Sequence, residues 1–222
     1  LVAPAPGATV PLLTDAQKAH YGLKPELRRE KFADKSYRER MGLPAETPDG
    51  EKAVREAYWP KAVRLAWSGA AGAASVKVTD TRTGAIVFEA AASNNFAIVD
   101  NLEIAAAYDW AVTAGGKSAT SSFRTEDRAP RLLRFPGVPN ARDLGGRIGS
   151  GGRRVRQGRV FRSACFNECA STNATPGASR VAGTNGVCIL GRFDIRTDID
   201  LRCDEEVGGM RFSPLGATVV WR

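Results

Sequence analysis

The sequence has 222 residues, of which 43% are hydrophobic and 25% charged, so it can build ordinary cores and does not have the composition of a disordered chain. No apolar run approaches the roughly 18 residues that a membrane helix needs, and no membrane span is predicted. The net charge is +8, and residues 131–222 carry fifteen arginines, no lysine and eight acidic residues. This basic half favours a solvated face or phosphate contacts, and nucleic-acid binding is not predicted because no recognition motif accompanies the charge.

The first residues predict a leader. Residues 1–11 are rich in Pro, Ala and Gly and indicate an extended segment, whereas Thr14 and Asp15 are typical caps for a short helix over residues 16–21. The highly charged stretch 26–41 favours one surface helix or two shorter ones. Because the sequence does not begin with Met, we expect a processing boundary there and an exported protein, periplasmic or extracellular.

A change of pattern begins at Trp59 and continues to Glu126. In this interval, segments with alternating apolar and polar residues are separated by turns about 8–12 residues apart, which is typical of a β-sandwich. Six strands are predicted, over residues 63–67, 75–80, 85–92, 95–100, 108–114 and 118–125.

Two motifs in this interval resemble fibronectin type III domains. The segment Leu65-Ala66-Trp67 is similar to the L-x-W strand of that family. Leu102 and Tyr108 are six residues apart, as in its tyrosine corner, but Ile104 and Ala106 replace the usual Pro and Thr. The resemblance implies that Trp67 and Tyr108 are buried, that the phenol bonds to backbone a few residues upstream, and that this part is not catalytic.

Three segments that follow a predicted linker resemble, in the same order, a family of bacterial and fungal tyrosine phosphatases. Residues 140–146 (NARDLGG) are similar to its opening signature N-x-R-D-L-G-G, and residues 158–163 (GRVFRS) to its G-R-x-F-R-S. Residues 195–202 (IRTDIDLR) are similar to its I-x-x-D-I-D-L-R strand, and residues 213–216 fit an extension found in some members. The resemblance implies the N-terminal part of an α/β cysteine-phosphatase fold.

The residues themselves agree with that fold. Gly145 and Gly146 suit a tight turn that needs a positive φ or a close backbone approach. Residues 197–201 alternate Ile and Leu with Asp and predict a buried, central parallel strand, whose carboxyl end would deliver polar groups to a ligand.

Four residues of this part are candidate site residues. Asp200 is predicted to be the general acid that protonates the leaving phenol, with a strand-end Asp bonded to backbone or paired with an arginine as the alternative. Arg162, Arg202 and Asp143 are predicted to bind the substrate phosphate or to hold the loop beneath it, with a structural salt bridge as the favoured alternative for each.

The nucleophile of a cysteine phosphatase is missing from the sequence. The chemistry requires Cys, five residues and Arg, in a loop whose N–H groups surround the phosphate. None of the cysteines, Cys165, Cys169, Cys188 and Cys203, has Arg six positions later. We therefore expect this chain alone to be inactive, and a continuation or second fragment with Cys-x5-Arg to pack against the strand 195–201. No cofactor or metal is expected, since the cysteine spacing lacks a paired C-x2-C.

The predicted protein is thus multidomain, and its predicted function is hydrolysis of phosphotyrosine or another phosphomonoester. Two alternatives remain: a secreted binding or adhesion protein with a pseudophosphatase half, and a structural protein that uses the fold. The predicted parts are a leader and helical segment, residues 1–58; an all-β fibronectin type III-like sandwich, 59–126; a linker, 127–134; and the phosphatase-like part, 135–222.

Overall fold

The computed structural model describes residues 1–24, 26–27, 59–69, 72–135, 138, 140–163, 192–202 and 220–221. The predictions for residues 28–58, for the four cysteines and for residues 213–216 lie outside these ranges. The described elements are β1 (Ala8–Val10), α1 (Asp15–Gly22), β2 (Val63–Ala66), β3 (Ala74–Asp80), β4 (Ile86–Ala92), β5 (Phe96–Val99), β6 (Ala107–Ala114), β7 (Lys117–Thr125), β8 (Arg131–Leu132), β9 (Arg142–Asp143), a 3-10 turn (Ser150–Gly152), β10 (Phe161–Arg162), β11 (Thr197–Asp198) and β12 (Val220–Trp221). None of the helices in the described ranges is long and apolar enough to cross a membrane.

Strands β1 to β7 form two sheets that share one hydrophobic core, and we call this part the two-sheet region. One sheet has five strands in the order β1-β7-β6-β3-β4, and the other pairs β2 with β5 in antiparallel register. Alternate residues of each strand point into the core, as in β3, where Val76 and Val78 are fully buried. The six strands predicted from the sequence are confirmed, each to within one residue at either end.

The residues predicted to be an extended leader belong to the two-sheet region. β1 pairs in parallel with β7, with Ala8 opposite Phe123, and Leu12 lies in the shared core. Thr14, one of the two predicted caps, is the N-cap of the helix, and it forms a capping box with Gln17 in which each side chain bonds to the other residue's backbone N–H. Gln17 also donates to the Trp59 carbonyl at 2.8 Å, so α1 is fastened to the start of the next segment.

The corner around Tyr108 has the predicted geometry. Trp67 and Tyr108 are both buried, and the Tyr108 hydroxyl accepts a hydrogen bond of 2.8 Å from the backbone N–H of Glu103, five residues upstream. Thr125, from the neighbouring strand β7, reinforces the loop: its hydroxyl donates to the Glu103 carbonyl at 2.6 Å and accepts from the Ala106 N–H at 3.0 Å. This hydroxyl stabilises a corner in which the sequence lacks the usual Pro and Thr.

The remaining part, which we call the second region, begins at β8 and has short strands. β10, β9 and β8 form an antiparallel sheet, and β11 pairs in parallel with β12. The parallel pairing agrees with the prediction only for Thr197 and Asp198, because the strand does not extend over the predicted residues 197–201. The predicted burial is wrong, because Ile199 is 66% exposed and Leu201 is 92% exposed. An apolar alternation yields a buried strand only where another layer covers it. The described residues of this region contain no α-helix, so its α/β character stays a prediction.

Candidate functional site

The site is built around a buried arginine in the segment predicted to be a linker. Arg131 lies on β8, and its Nη1 donates to Asp143 Oδ2 at 2.9 Å. Its Nε and Nη2 donate to the carbonyls of Leu102 and Asn101, at 3.0 and 2.7 Å. Both side chains of the ion pair are buried, and the three donors of Arg131 join the second region to the loop that follows β5. Sequence reasoning missed this role, although an arginine beside Leu132 and Leu133 at the start of an apolar run was a usable signal.

The carboxylate of Asp143 is fully engaged by the protein. Besides Arg131, it accepts a hydrogen bond from the Gly145 N–H to Oδ1 and one from the Gly158 N–H to Oδ2, both 2.7 Å long. The side chain has no exposed surface. These contacts correspond to the structural salt bridge of the two interpretations, since the carboxylate fixes the two turns that lead into and out of the motif strands.

The two glycines after Asp143 are required by close contacts. A Cβ on Gly145 would lie 2.5 Å from the Arg156 carbonyl oxygen and from the Gln157 Cα. Gly146 has a φ of +80°, and a Cβ there would lie 2.5 Å from Ile104 Cδ1. Both predicted reasons for glycine, positive φ and close backbone approach, are therefore confirmed.

Two side-chain amides join the regions. Each forms a pair of hydrogen bonds with the backbone N–H and carbonyl of one residue, as two paired strands do. Gln157 donates to the Ile104 carbonyl at 2.9 Å and accepts from the Ile104 N–H at 3.0 Å. Asn101 does the same with Arg134, donating to its carbonyl at 3.1 Å and accepting from its N–H at 2.7 Å. The sequence analysis missed both residues, and in the case of Gln157 the signal was a single neutral amide within an arginine-rich run.

Asp200 and Arg202 form a bidentate pair just beyond β11. The Arg202 Nε lies 2.9 and 3.1 Å from the two carboxylate oxygens, and Nη2 lies 2.5 Å from Oδ2. The backbone N–H of Arg202 also donates to Asp200 Oδ1 at 3.1 Å. Their side chains are only 11% and 13% exposed, so Asp200 does not point into solvent. The observed pairing is the alternative that the sequence analysis gave for Asp200, and its general-acid role stays a prediction.

Arg162 lies on β10, directly opposite Arg142 on β9. Arg142 donates to the side chain of Asn140, whereas Arg162 is exposed and makes no ion pair within the part of the chain that the structure describes. Two like charges directly opposite each other on paired strands repel, and a bound anion between them would relieve that repulsion. Arg142 therefore joins Arg162 as a candidate phosphate contact that the sequence analysis did not single out.

A cleft of about 940 Å³ separates the two regions, and none of the four predicted site residues lines it. Two pairs of its charged lining residues form ion pairs: Arg134 Nη1 lies 3.2 Å from Asp100 Oδ2, and Arg82 lies 3.5 Å from Glu103. Burial raises the pKa of Asp100 above its ordinary value, and the attraction of Arg134 only partly opposes this. The cleft is thus lined by polar residues of both regions and is not part of the predicted phosphate site.

Comparison with known protein families gives a match that lies in the second region. Residues 133–221 match the family model described as "Tyrosine phosphatase family". A Cupriavidus necator protein that bears the name "Putative tyrosine-protein phosphatase" is 38% identical over 88 residues, which are 40% of this chain and 30% of that protein. The chain thus spans less than a third of the length of the curated relative. No solved structure matches this chain.

Proposed function

We propose that the second region is the opening part of a cysteine-dependent phosphatase unit that acts on phosphotyrosine or another phosphomonoester. The observation that carries this proposal is the family match over residues 133–221, which begins within two residues of the predicted start at residue 135. The folded arrangement of the NARDLGG segment adds to it, since the buried Asp143 holds the turns on either side of Arg142 and Arg162. In this proposal Asp143 positions the phosphate-binding strands and does not touch the substrate.

Arg142 and Arg162 bind the non-bridging oxygens of the phosphoryl group. Guanidinium groups match a phosphate with two parallel N–H donors, and their mutual repulsion falls when the dianion arrives. Arg202 contributes by exchange. A guanidinium favours the charged form of a neighbouring carboxyl group, whereas proton donation requires the protonated form. In this proposal Arg202 binds the substrate phosphate and its ion pair with Asp200 breaks. The Asp200 carboxyl group can then accept a proton and act as the general acid.

The nucleophile comes from a segment with Cys-x5-Arg outside these 222 residues, because none of the four cysteines in the sequence has that spacing. The exposed Ile199 and Leu201 beside β11 are the surface against which this segment packs. Its thiolate attacks phosphorus, the phenolate leaves with the proton from Asp200, and water later hydrolyses the phosphocysteine. No metal or other cofactor takes part in this scheme.

The first test is made on the complete natural protein, purified under native conditions, with intact mass spectrometry and hydrolysis of an aryl phosphate. We expect a Cys-x5-Arg segment in the purified material, loss of hydrolysis on changing its Cys to Ser, and no hydrolysis by the 222-residue chain alone. Hydrolysis that survives the Cys-to-Ser change, or hydrolysis by a complete protein without such a segment, would refute the cysteine mechanism. A complete protein that shows no hydrolysis would refute the enzymatic function.

The second test concerns Asp200 within the complete enzyme. Asp200→Asn should lower turnover of aryl phosphates with poor leaving groups by roughly 100-fold, and should hardly change turnover of those with good leaving groups, which need no proton. Asp198→Asn on the neighbouring strand position is the matched control. Equal losses for both substrate types would argue against proton donation.

The alternative function is a secreted binding or adhesion protein whose phosphatase half does not turn over substrate. The observation that favours it is the two-sheet region, which we propose to be fibronectin type III-like because of the Tyr108 corner and the two sheets packed around Trp67. Export to the periplasm or the cell exterior is part of this proposal. This function would be favoured if the complete protein did not hydrolyse the aryl phosphate in the first test while the chain was folded and monomeric.

A further inference from the structure

The second region carries a basic β-ribbon of which the proposed chemistry uses only the last residue, Arg162. Residues 144–162, which we call the basic ribbon, fold back on themselves through the glycine turn at residues 149–152. Backbone hydrogen bonds hold the two arms together, from the Leu144 N–H to the Val160 carbonyl at 2.9 Å and from the Val155 N–H to the Arg147 carbonyl at 2.8 Å. The ribbon is therefore an ordered surface and not a loose loop.

The charge of the basic ribbon is of one sign. It contains six arginines and no acidic residue. Arg154 is neutralised by Asp127, with Nη2 2.5 Å from Oδ2. The other five are exposed and make no ion pair within the described residues: Arg147, Arg153, Arg156, Arg159 and Arg162. A surface of this kind attracts a polyanion.

Exposed aliphatic side chains lie between these arginines. Ile148 is 60% exposed, Val155 47% and Val160 59%. In the antiparallel pairing Ile148 is opposite Arg154, which places Val155 opposite Arg147 on the other face. Val155 and the cation of Arg147 are thus presented together on one face of the ribbon.

One side of the basic ribbon is fixed to the two-sheet region. Arg154 binds Asp127, Gln157 binds the backbone of Ile104, and Gly146 approaches the Ile104 side chain. Arg147 and Val155 lie on the opposite face of the ribbon from Arg154. A partner would therefore meet a preformed surface and would not have to order it, which favours binding.

We propose that the basic ribbon docks on an anionic lipid bilayer. Lipid phosphates and acidic headgroups pair with the arginines, and the aliphatic side chains enter the boundary between headgroups and acyl chains. A single-stranded nucleic acid also offers phosphates, but it stacks its bases on exposed aromatic rings, and the only aromatic residue of the ribbon, Phe161, is half-buried against Phe193. A duplex offers phosphates but no apolar layer for the aliphatic side chains. Exposed Ile and Val match a bilayer and not a sugar-phosphate backbone. This inference stands whether or not the protein is an enzyme.

The experiment is co-sedimentation of the 222-residue chain with vesicles of phosphatidylcholine, alone or mixed with phosphatidylglycerol. We expect binding to the anionic vesicles only, weakened by added salt. Replacing Arg147, Arg153, Arg156 and Arg159 by Gln should weaken binding by about 600-fold, since each of the four cations near an anionic surface contributes about fivefold. Arg162 is left in place because it belongs to the proposed phosphate site.

The matched control removes the same charge from the two-sheet region. Lys61, Lys77, Lys117 and Arg124 are exposed there, and their replacement by Gln should change binding by less than about threefold. A second variant, Val155→Ser, keeps every charge and should weaken vesicle binding by about fivefold. If the fourfold arginine variant loses its fold, Arg153→Gln alone carries the test, with an expected loss of about fivefold.

Three results would overturn the proposal. The first is the absence of binding to anionic vesicles by the unaltered chain. The second is an equal loss in the ribbon variant and the control variant, which would assign the binding to net charge. The third is tighter binding to a short nucleic acid than to the vesicles, unchanged by Val155→Ser, which would identify a nucleic-acid surface instead.

Discussion

The two regions of this protein are held together by different interactions. The two-sheet region has strands of up to nine residues and a core of fifteen buried residues, whereas the described core of the second region has four. The second region relies instead on the Arg131–Asp143 ion pair and on side chains that grip the loop at residues 100–104 of its neighbour. Apolar burial can stabilise a region by itself, but a buried ion pair supports a fold only while both partners stay in place.

The largest expected effect on the difference between the two regions is that of Asp143→Ala. The change leaves the Arg131 guanidinium buried without its charge partner and removes the acceptor of two glycine N–H groups, which should cost about 3–5 kcal/mol. We expect the loss to be confined to the second region. Hydrogen exchange followed by mass spectrometry should show lost protection in β8 to β10 and retained protection in β3 and β6.

Asp127→Ala is the control for that experiment, because it removes an exposed partner of Arg154 and should cost no more than about 1 kcal/mol. Equal loss of protection in both regions after Asp143→Ala would contradict the comparison, since it would show a single cooperative unit.

Gly145→Ala should have the next largest effect. The added Cβ would meet the backbone of Arg156 and Gln157 at 2.5 Å, and backbone atoms cannot rotate away, so we expect a cost of about 2–3 kcal/mol in urea unfolding. Gly149→Ala is the matched control: the nearest atom to its Cβ is at 3.5 Å, an ordinary contact. Similar costs for both variants would show that the close approach of the two arms is not what this glycine is needed for.

Tyr108→Phe tests the other side of the comparison with a smaller effect. The change removes the acceptor of the Glu103 N–H but keeps the ring stacked on Phe123, so the cost should be about 1 kcal/mol. Ser118→Ala, which removes an exposed hydrogen bond to Thr113, should cost less than about 0.5 kcal/mol. An unfolding midpoint that does not move after Tyr108→Phe would mean that the corner is held by Thr125 alone.

The same contrast explains what could be predicted from sequence. Strands such as β3 and β6 alternate apolar and polar residues over seven or eight positions, and their local pattern coincides with their final burial. The alternation in residues 197–201 is of the same kind, yet Leu201 is 92% exposed, because burial there depends on a covering layer that the local pattern does not encode. Pattern predicts which face is apolar and not whether that face is covered.

The site shows a second limit. Gly145 and Gly146 were predicted from their residue type, since only glycine fits a close approach or a positive φ. The partner of Asp143 was not, because Arg131 is twelve residues away and lay in a segment predicted to be a linker. The contacts of Gln157 with Ile104 span 53 residues, and side-chain amides that pair with backbone leave no periodic signal in a sequence.

The smallest expected effect concerns Asp100 in the cleft between the regions, and it depends on pH. Burial raises the pKa of Asp100 above its ordinary value, so the folded state holds this proton more tightly than the unfolded state does. The stabilisation that results is present below the ordinary Asp pKa and is lost as pH rises through the higher pKa of the folded state. At neutral pH the charged carboxylate is therefore a net cost that Arg134, 3.2 Å away, does not fully offset.

Asp100→Asn keeps the shape of the side chain and an oxygen acceptor. It should raise the free energy of unfolding at neutral pH by no more than about 0.5 kcal/mol, and the gain should disappear towards about pH 4. Urea unfolding midpoints across this pH range measure the difference, and Asp109→Asn on the exposed face of β6 controls for the general loss of one negative charge. A neutral-pH loss of stability in Asp100→Asn would reverse the sign, and would show that the ion pair with Arg134 outweighs burial and holds the second region to the first.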